Sequence, residues 1–182
     1  AEIEGVRAAL DRCGRPMVLS LSPGETPLDK AEHVQKHAHL WRISGDFWDK
    51  WEQLVKQFSL CAAWAPFAGP GHWPDADMLP IGHLSVRGPW PEERTTNFTR
   101  DEQITLMTLC AIAPSPLMIG ADLPTSDGLT ISLLTNEELI AVNQNTINNR
   151  QVYRSGQQVV WAADVPSSQD KVVALFNLGI VH

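Results

Sequence analysis

Two stretches decide the fold and the chemistry expected of this chain: WRISGD at residues 41–46 and GPGHWPDADML at residues 69–79. Each places carboxylates just after a short apolar run and close to tryptophan. A carboxyl group in a partly apolar setting can keep its proton near neutral pH, and indole faces can cover the apolar side of a pyranose ring. The two stretches therefore favour sugar binding and glycosidic-bond cleavage, with Asp46 and Asp77 as the first candidates.

Helical and strand-like segments alternate on both sides of these stretches. Apolar spacing predicts helices at residues 2–13, 29–39, 47–58, 100–113 and 130–143. Short apolar runs predict strands at residues 17–21, 40–43, 61–65 and 116–120, with a long ordered loop over residues 66–91. This alternation predicts an α/β fold in which parallel neighbouring strands carry functional residues at their carboxyl ends. Beyond residue 150 the helical period is lost, which indicates an antiparallel β domain.

Composition narrows the classes of partner. The 182 residues are 43% hydrophobic and 19% charged, as expected for a packed core, and the net charge of −7 argues against nucleic acid or an anionic membrane surface. Seven of the aromatic residues are Trp, and Trp73 is a candidate sugar platform. The three cysteines form no metal-binding or CxxC spacing, so we expect small buried side chains at Cys13, Cys61 and Cys110.

Several ordered segments resemble the α-galactosidases of glycoside hydrolase family 27, in clan D, and the resemblance covers nearly the whole chain. The matching segments are the strand at residues 17–21, the Trp41-Arg42 step with Asp46 four residues after the Arg, the loop at 68–79, the strand at 115–119, the Asp122-Leu123 pair and the helix end at 140–144. The family fold implies the C-terminal half of a TIM (β/α)8 barrel followed by an antiparallel β domain. Residues 1–148 would then be the partial barrel, and residues 149–182 the start of the second domain.

The resemblance also implies roles for individual residues. Asp46 stands where the family has its acid/base carboxylate, and Arg42 stands where it has a sugar-contacting Arg. Asp77 matches a loop that closes one side of the galactose pocket, and Asp75 with Trp73 belongs to the same candidate substrate-binding set. Ser22 occupies the position that reads the substituent on sugar carbon two, where relatives that accept an N-acetyl group carry Ser. The following residues depart from the usual aromatic continuation, which leaves the preferred sugar open.

One family feature is missing. The retaining members use a second Asp as nucleophile, on the fourth strand within a Lys-x-Asp motif, and this sequence begins after that point. We therefore expect a parent enzyme that removes terminal α-galactosyl or related residues, without a cofactor, and a fragment that is inactive alone. The expected partner is a carbohydrate with a terminal α-linked sugar, and a homodimer or the missing N-terminal half would complete the barrel. We expect a secreted or periplasmic protein.

Each candidate residue also has a structural interpretation. Asp46 fits the N-cap of a helix that begins at Phe47, since Asp is favoured at that position. Arg42 fits a structural ion pair. Asp75 and Asp77 fit turn formers in a proline-rich loop.

Metal binding and a purely binding function are the remaining alternatives. His33 and His37 have the i,i+4 spacing of a helical metal pair, with His39 nearby, but no Glu follows His33 as it does in zinc proteases. We expect this stretch to be a solvated outer helix and expect no metal site. A metal-dependent hydrolase is a weaker alternative, built on His72, Asp75, Asp77 and His83. A non-catalytic carbohydrate-binding protein with an incomplete active site is the main alternative to an enzyme.

Overall fold

Parallel strands and helices alternate through the first part of the chain, and an antiparallel sheet forms the last part. The structure is a computed structural model that describes residues 1–88 and 92–179. The helices are α1 (Glu2–Arg12), α2 (Ala31–His37), α3 (Trp51–Trp64), α4 (Arg100–Ile112), α5 (Gly128–Leu134) and α6 (Glu137–Asn145). The strands are β1 (Ser20–Leu21), β2 (Leu40–Arg42), β3 (Trp73–Asp75), β4 (Met78–Leu79), β5 (His83–Leu84), β6 (Arg94–Thr95), β7 (Met118–Ile119), β8 (Ile147–Ser155), β9 (Gln158–Asp164) and β10 (Lys171–Asn177). The mixed α/β class expected from the sequence is confirmed.

The first part contains two sheets of parallel strands, β1-β2-β3 and β4-β7, and one short antiparallel pair, β5 with β6. β1 pairs with β2 and β2 with β3, both in parallel register. β4 follows β3 after Ala76 and Asp77 and pairs in parallel with β7. The expectation of parallel neighbours is confirmed for the strands near residues 17–21 and 40–43. The strand near residues 116–120 also pairs in parallel, but with β4 in a separate sheet. The carboxyl ends of β1, β2 and β3 meet at one edge, where the loops after these strands lie side by side.

The prediction of a strand at residues 61–65 is wrong. Cys61 and Trp64 belong to α3, whose buried side chains continue at helical spacing from Leu54 and Phe58. The third parallel strand is instead β3, within the stretch expected to be a loop. The sequence did not indicate this strand because it contains Pro74, and proline has no N–H to donate to a neighbouring strand. The bonds to β2 use its neighbours: Trp73 N–H donates to His39 O at 2.8 Å, and Asp75 O accepts from Ile43 N–H at 2.9 Å.

The helix predicted at residues 47–58 begins later than expected, at Trp51 with Lys50 as its N-cap. Asp46 is therefore not a helix cap. The preceding backbone donors are already taken: Phe47 N–H donates to the Asp77 carboxylate at 2.7 Å, and Trp48 N–H donates to Gln53 Oε1 at 2.7 Å. These contacts hold residues 47–50 in a loop rather than in the first turn of α3.

Local capping explains the other helices. Thr99 and Glu102 form the expected capping box at the start of α4. The single helix predicted at residues 130–143 is two helices, because Asn136 accepts a hydrogen bond from Leu139 N–H and starts α6. The antiparallel sheet has the order β10-β9-β8, which confirms the β pattern expected beyond residue 150.

The core lies between the parallel strands and the helices and extends to the antiparallel sheet. Trp41 is fully buried against Trp64 of α3. Phe58 packs edge-on against Phe176 of β10, with 4.8 Å between the ring centroids. Cys61 and Cys110 are buried, as expected. Cys13, at the end of α1, is exposed, so the expectation of burial is wrong there. Among the described residues, no helix is both long and apolar enough to cross a membrane.

Candidate active site

Arg42 is held at the carboxyl end of β2, facing away from the helices. Trp41 packs on α3, so the alternation of a strand directs Arg42 to the opposite face. The Arg42 side chain is 9% exposed, and its Nη2 donates to the Asp77 carboxylate at 2.5 Å and to Gly45 O at 2.9 Å. The same nitrogen lies 3.6 Å from Asp46 Oδ1. Arg42 thus brings two of the predicted carboxylates together.

Asp77 has an unusual backbone conformation with φ of +78°, in the left-handed region that Asp and Asn tolerate better than most residues. Its Oδ2 accepts hydrogen bonds from Arg42 and from Phe47 N–H, and its Oδ1 accepts from Met78 N–H at 2.7 Å. With 14% of its side chain exposed, the carboxylate clamps the ends of β2 and β3 together. It also fixes the residue that follows Asp46.

Asp75 lies deeper than Asp77 and is buried. Its Oδ1 accepts from Asp77 N–H at 2.9 Å, so it orders the turn that places Asp77. Burial raises the pKa of Asp75, and the Asp77 N–H and the charge of Arg42 offset part of that rise. In this structure Asp75 supports the turn rather than facing the open edge.

Asp46 stands out from this framework. Its side chain is 88% exposed, although the adjacent Arg42 and Phe47 are buried. A pocket of about 170 Å³ lies beside it, between its loop and α3. The pocket is lined by Ser44, Gly45, Asp46, Phe47, Gln53, Lys56, Gln57 and Leu60. The carboxyl group of Asp46 is therefore open to a bound molecule.

The other predicted site residues, Ser22 and Trp73, lie at different positions along the strands. Ser22 is exposed and directly follows β1, at the same edge as Arg42. Its loop is tied to β2, because Thr26 N–H donates to Arg42 O at 3.0 Å. Trp73 begins β3 opposite Leu40, at the amino end of the strand, farther from the edge than Asp77. The indole of Trp73 is partly buried.

Sequence reasoning missed two groups that hold the loop bearing Asp46. Asp49, with 2% of its side chain exposed, binds both Nε and Nη2 of Arg94 and accepts from Asn97 N–H at 2.7 Å. Gln57 of α3 donates to Ser44 Oγ and to Ala76 O, both at 3.1 Å. Asp49 and Arg94 are far apart in sequence, and no local motif indicates their pairing. The buried position of Gln57 on the apolar side of α3 is the one signal that the sequence offered.

The described residues give no support to a metal-dependent hydrolase at this edge. Among residues 1–88 and 92–179, the group with metal-binding geometry is Glu4, His33 and His37, on the helices. His83 binds Glu93 and Thr125 instead.

Comparison with known proteins gives one consistent result. The model of the family described as alpha galactosidase A matches residues 2–145. Alpha-galactosidase 2 of Arabidopsis thaliana is 36% identical over 174 residues, which is 94% of this chain and 40% of that protein. The alpha-N-acetylgalactosaminidase of Mus musculus is 28% identical over 181 residues, 93% of this chain and 41% of that protein.

A solved structure shows the same arrangement of the backbone. The GH27 β-L-arabinopyranosidase of Geobacillus stearothermophilus has 50% sequence identity and a TM-score of 0.92 over 97% of this chain and 41% of that chain. A variant of that enzyme was solved in complex with arabinose. The chain thus spans about 40% of the length of these relatives.

Proposed function

Because this chain belongs to glycoside hydrolase family 27, the alpha galactosidase A family, we propose that it is part of a retaining enzyme that removes terminal α-galactosyl or related residues. One observation carries the proposal: the exposed carboxyl of Asp46 lies beside Arg42, which Asp77 clamps at the carboxyl end of parallel strands. A buried cation held by a carboxylate is a rigid donor for sugar hydroxyls, and an exposed carboxyl beside it can meet a leaving-group oxygen.

The proposed architecture is the C-terminal half of a (β/α)8 barrel. β1, β2, the β3–β4 run and β7 would be its last four strands, with α1 as the fourth helix. Residues 1–148 would form this part, and residues 149–182 would begin the β domain. The parallel pairing of the four runs supports this assignment. The first half of the barrel, or a second copy of the chain, would cover the exposed Met17, Val18 and Met118.

In the proposed mechanism Asp46 donates its proton to the oxygen of the leaving group and then accepts one from water. Retaining hydrolysis needs a nucleophilic carboxyl about 5 Å from the acid/base on the other side of the anomeric carbon. Asp77 and Asp75 are already engaged in the turn after β3, so we assign the nucleophile to a residue outside this chain. Arg42 would bind sugar hydroxyls, Ser22 would face the substituent on carbon two, and Trp73 would lie below the sugar.

Two related sugars are candidates for the glycone. A β-L-arabinopyranoside has the ring configuration of an α-D-galactoside without the exocyclic CH2OH group, so one retaining site can accept either. The β-L-arabinopyranosidase of G. stearothermophilus has 50% identity with this chain, which favours arabinopyranoside as a second candidate. A non-catalytic carbohydrate-binding protein is not favoured, because the relatives are named as hydrolases.

The test is hydrolysis of matched aryl glycosides by the full-length protein that carries this chain. We expect Asp46→Asn to lower the turnover of substrates with poor leaving groups by about 10²–10⁴-fold while substrate binding changes little, because proton donation is lost. Asp29→Asn, an exposed carboxylate paired with Lys30 and with no contact to Asp46 or Arg42 in the described residues, is the matched control. Comparing aryl α-D-galactoside with aryl β-L-arabinopyranoside assigns the sugar. Wild-type turnover by Asp46→Asn would refute the assignment of the acid/base.

A further inference from the structure

Outside the candidate active site, α1 and α2 bring two imidazoles and a carboxylate together. His33 and His37 lie one turn apart on α2, with ring centroids 4.8 Å apart. Glu4, on the first turn of α1, places Oε1 3.9 Å from His33 Nδ1 and 3.9 Å from His37 Nε2. One ligating atom from each of the three residues lies within 4.8 Å of the others.

We propose that Glu4, His33 and His37 form a Zn²⁺ site that joins α1 to α2. Imidazole nitrogen and carboxylate oxygen are zinc ligands, and three protein ligands with one water are the usual set of an open zinc site. Metal–ligand bonds of about 2.1 Å in a tetrahedron place the ligands about 3.4 Å apart. The two Glu4–His separations of 3.9 Å are about half an ångström longer, and all three ligand atoms lie within 4.8 Å of one another. Glu4 is exposed and the two histidines are partly exposed, so rotation of the side chains can bring the ligand atoms closer.

The charges around the cluster suit a cation. Glu4 supplies a carboxylate, which is a negatively charged zinc ligand, on a half-exposed side chain. Glu4 Oε1 faces both histidines, at 3.9 Å from His33 Nδ1 and 3.9 Å from His37 Nε2. One carboxylate oxygen is therefore directed toward the proposed metal position.

The site would act on the fold rather than on the chemistry at Asp46. α1 precedes β1 and α2 follows it. A metal bound by both helices would therefore hold together the two helices that flank β1 in the chain, and Ser22 follows the end of β1. Zn²⁺ that binds the folded protein better than the unfolded chain raises the melting temperature. The alternative is an ordinary surface ion pair between Glu4 and protonated imidazoles, which needs no metal.

The experiment is titration of the untagged, chelator-treated full-length protein with ZnCl2, followed by calorimetry and by thermal unfolding. We expect one Zn²⁺ per chain at this site and a higher melting temperature with Zn²⁺. His37→Gln and Glu4→Gln should each weaken Zn²⁺ binding at least about tenfold, since each removes one of three ligands. Replacement of Zn²⁺ by Co²⁺ should give a visible absorption band that the same two variants lose.

His83→Gln is the matched control, because His83 is also paired with a carboxylate, Glu93 at 3.0 Å, but belongs to no three-ligand group among the residues that the structure describes. Its Zn²⁺ affinity should equal that of the wild type. Far-ultraviolet circular dichroism checks that each variant is folded. Absence of saturable Zn²⁺ binding in the wild type, or equal affinity in His37→Gln and Glu4→Gln, would overturn the proposal and leave a surface ion pair.

Discussion

Replacement of Asp77 tests whether its carboxylate holds the candidate site together. Asp77→Asn keeps the size of the side chain and its tolerance of a positive φ, but an amide offers one acceptor oxygen where the structure uses two. The variant therefore loses the charged bond to Arg42 or a bond to a backbone N–H. A bond to a charged group is worth about 1.5–3 kcal/mol, and an unpaired buried donor adds about 1–3 kcal/mol. We expect a loss of about 3 kcal/mol.

Asp77→Ala should cost more than Asp77→Asn, because it removes every acceptor and places Ala at a φ of +78°, which adds about 1–2 kcal/mol. Scanning calorimetry and urea unfolding of the full-length protein measure the order wild type, Asn, Ala. Asp29→Asn, in an exposed pair with Lys30, should remain within about 0.5 kcal/mol of wild type. Equal stability of Asp77→Asn and wild type would refute the clamp.

Three further predictions concern the surroundings of the site. Asp49→Ala should lower stability by about 3–5 kcal/mol, because it leaves Arg94 without its buried partner; Asp49→Asn should lower it less, and urea unfolding distinguishes the two. Burial raises the pKa of Cys61 to about 12, so its thiol stays protonated at about pH 8, and mass spectrometry after iodoacetamide should show alkylation at the exposed Cys13 and not at Cys61. Gly82→Ala should lower the melting temperature, because φ is +73° and an added Cβ would lie 2.7 Å from Ser126 Oγ.

Local signals in the sequence predicted the elements whose determinants are themselves local. The capping box of Thr99 and Glu102 fixes the start of α4 within four residues of chain. The apolar run at residues 61–65 carried no such signal, since a short run of Ala, Cys and Trp fits a buried helix as well as a strand. These residues are helical because another segment, β3, takes the place next to β2. β3 contains Pro74, and proline is tolerated there because Trp73 N–H and Asp75 O make the hydrogen bonds to β2.

The candidate site also has a part that local sequence predicts and a part that depends on long-range contacts. Arg42 and Asp46 are four residues apart, and the sequence alone placed them after one strand. Asp77 binds Arg42, 35 positions away, and Phe47 N–H, 30 positions away, and no periodicity encodes such contacts. The third ligand of the proposed zinc site was missed for the same reason, because Glu4 comes from a different helix than His33 and His37.

The loop after β2 combines a fixed backbone with a free carboxyl group, and this combination is what an acid/base residue requires. Asp77 holds the loop at Phe47, and Asp49 holds it three residues after Asp46 through Arg94 and Asn97. Directly before these anchors, the Asp46 side chain makes a longer 3.6 Å contact with Arg42 and stays 88% exposed. A residue that must give a proton and then take one back cannot have its oxygens occupied by permanent donors, as those of Asp77 are. The different hydrogen bonding of the two carboxylates therefore supports the proposal that Asp77 positions the loop and Asp46 transfers the proton.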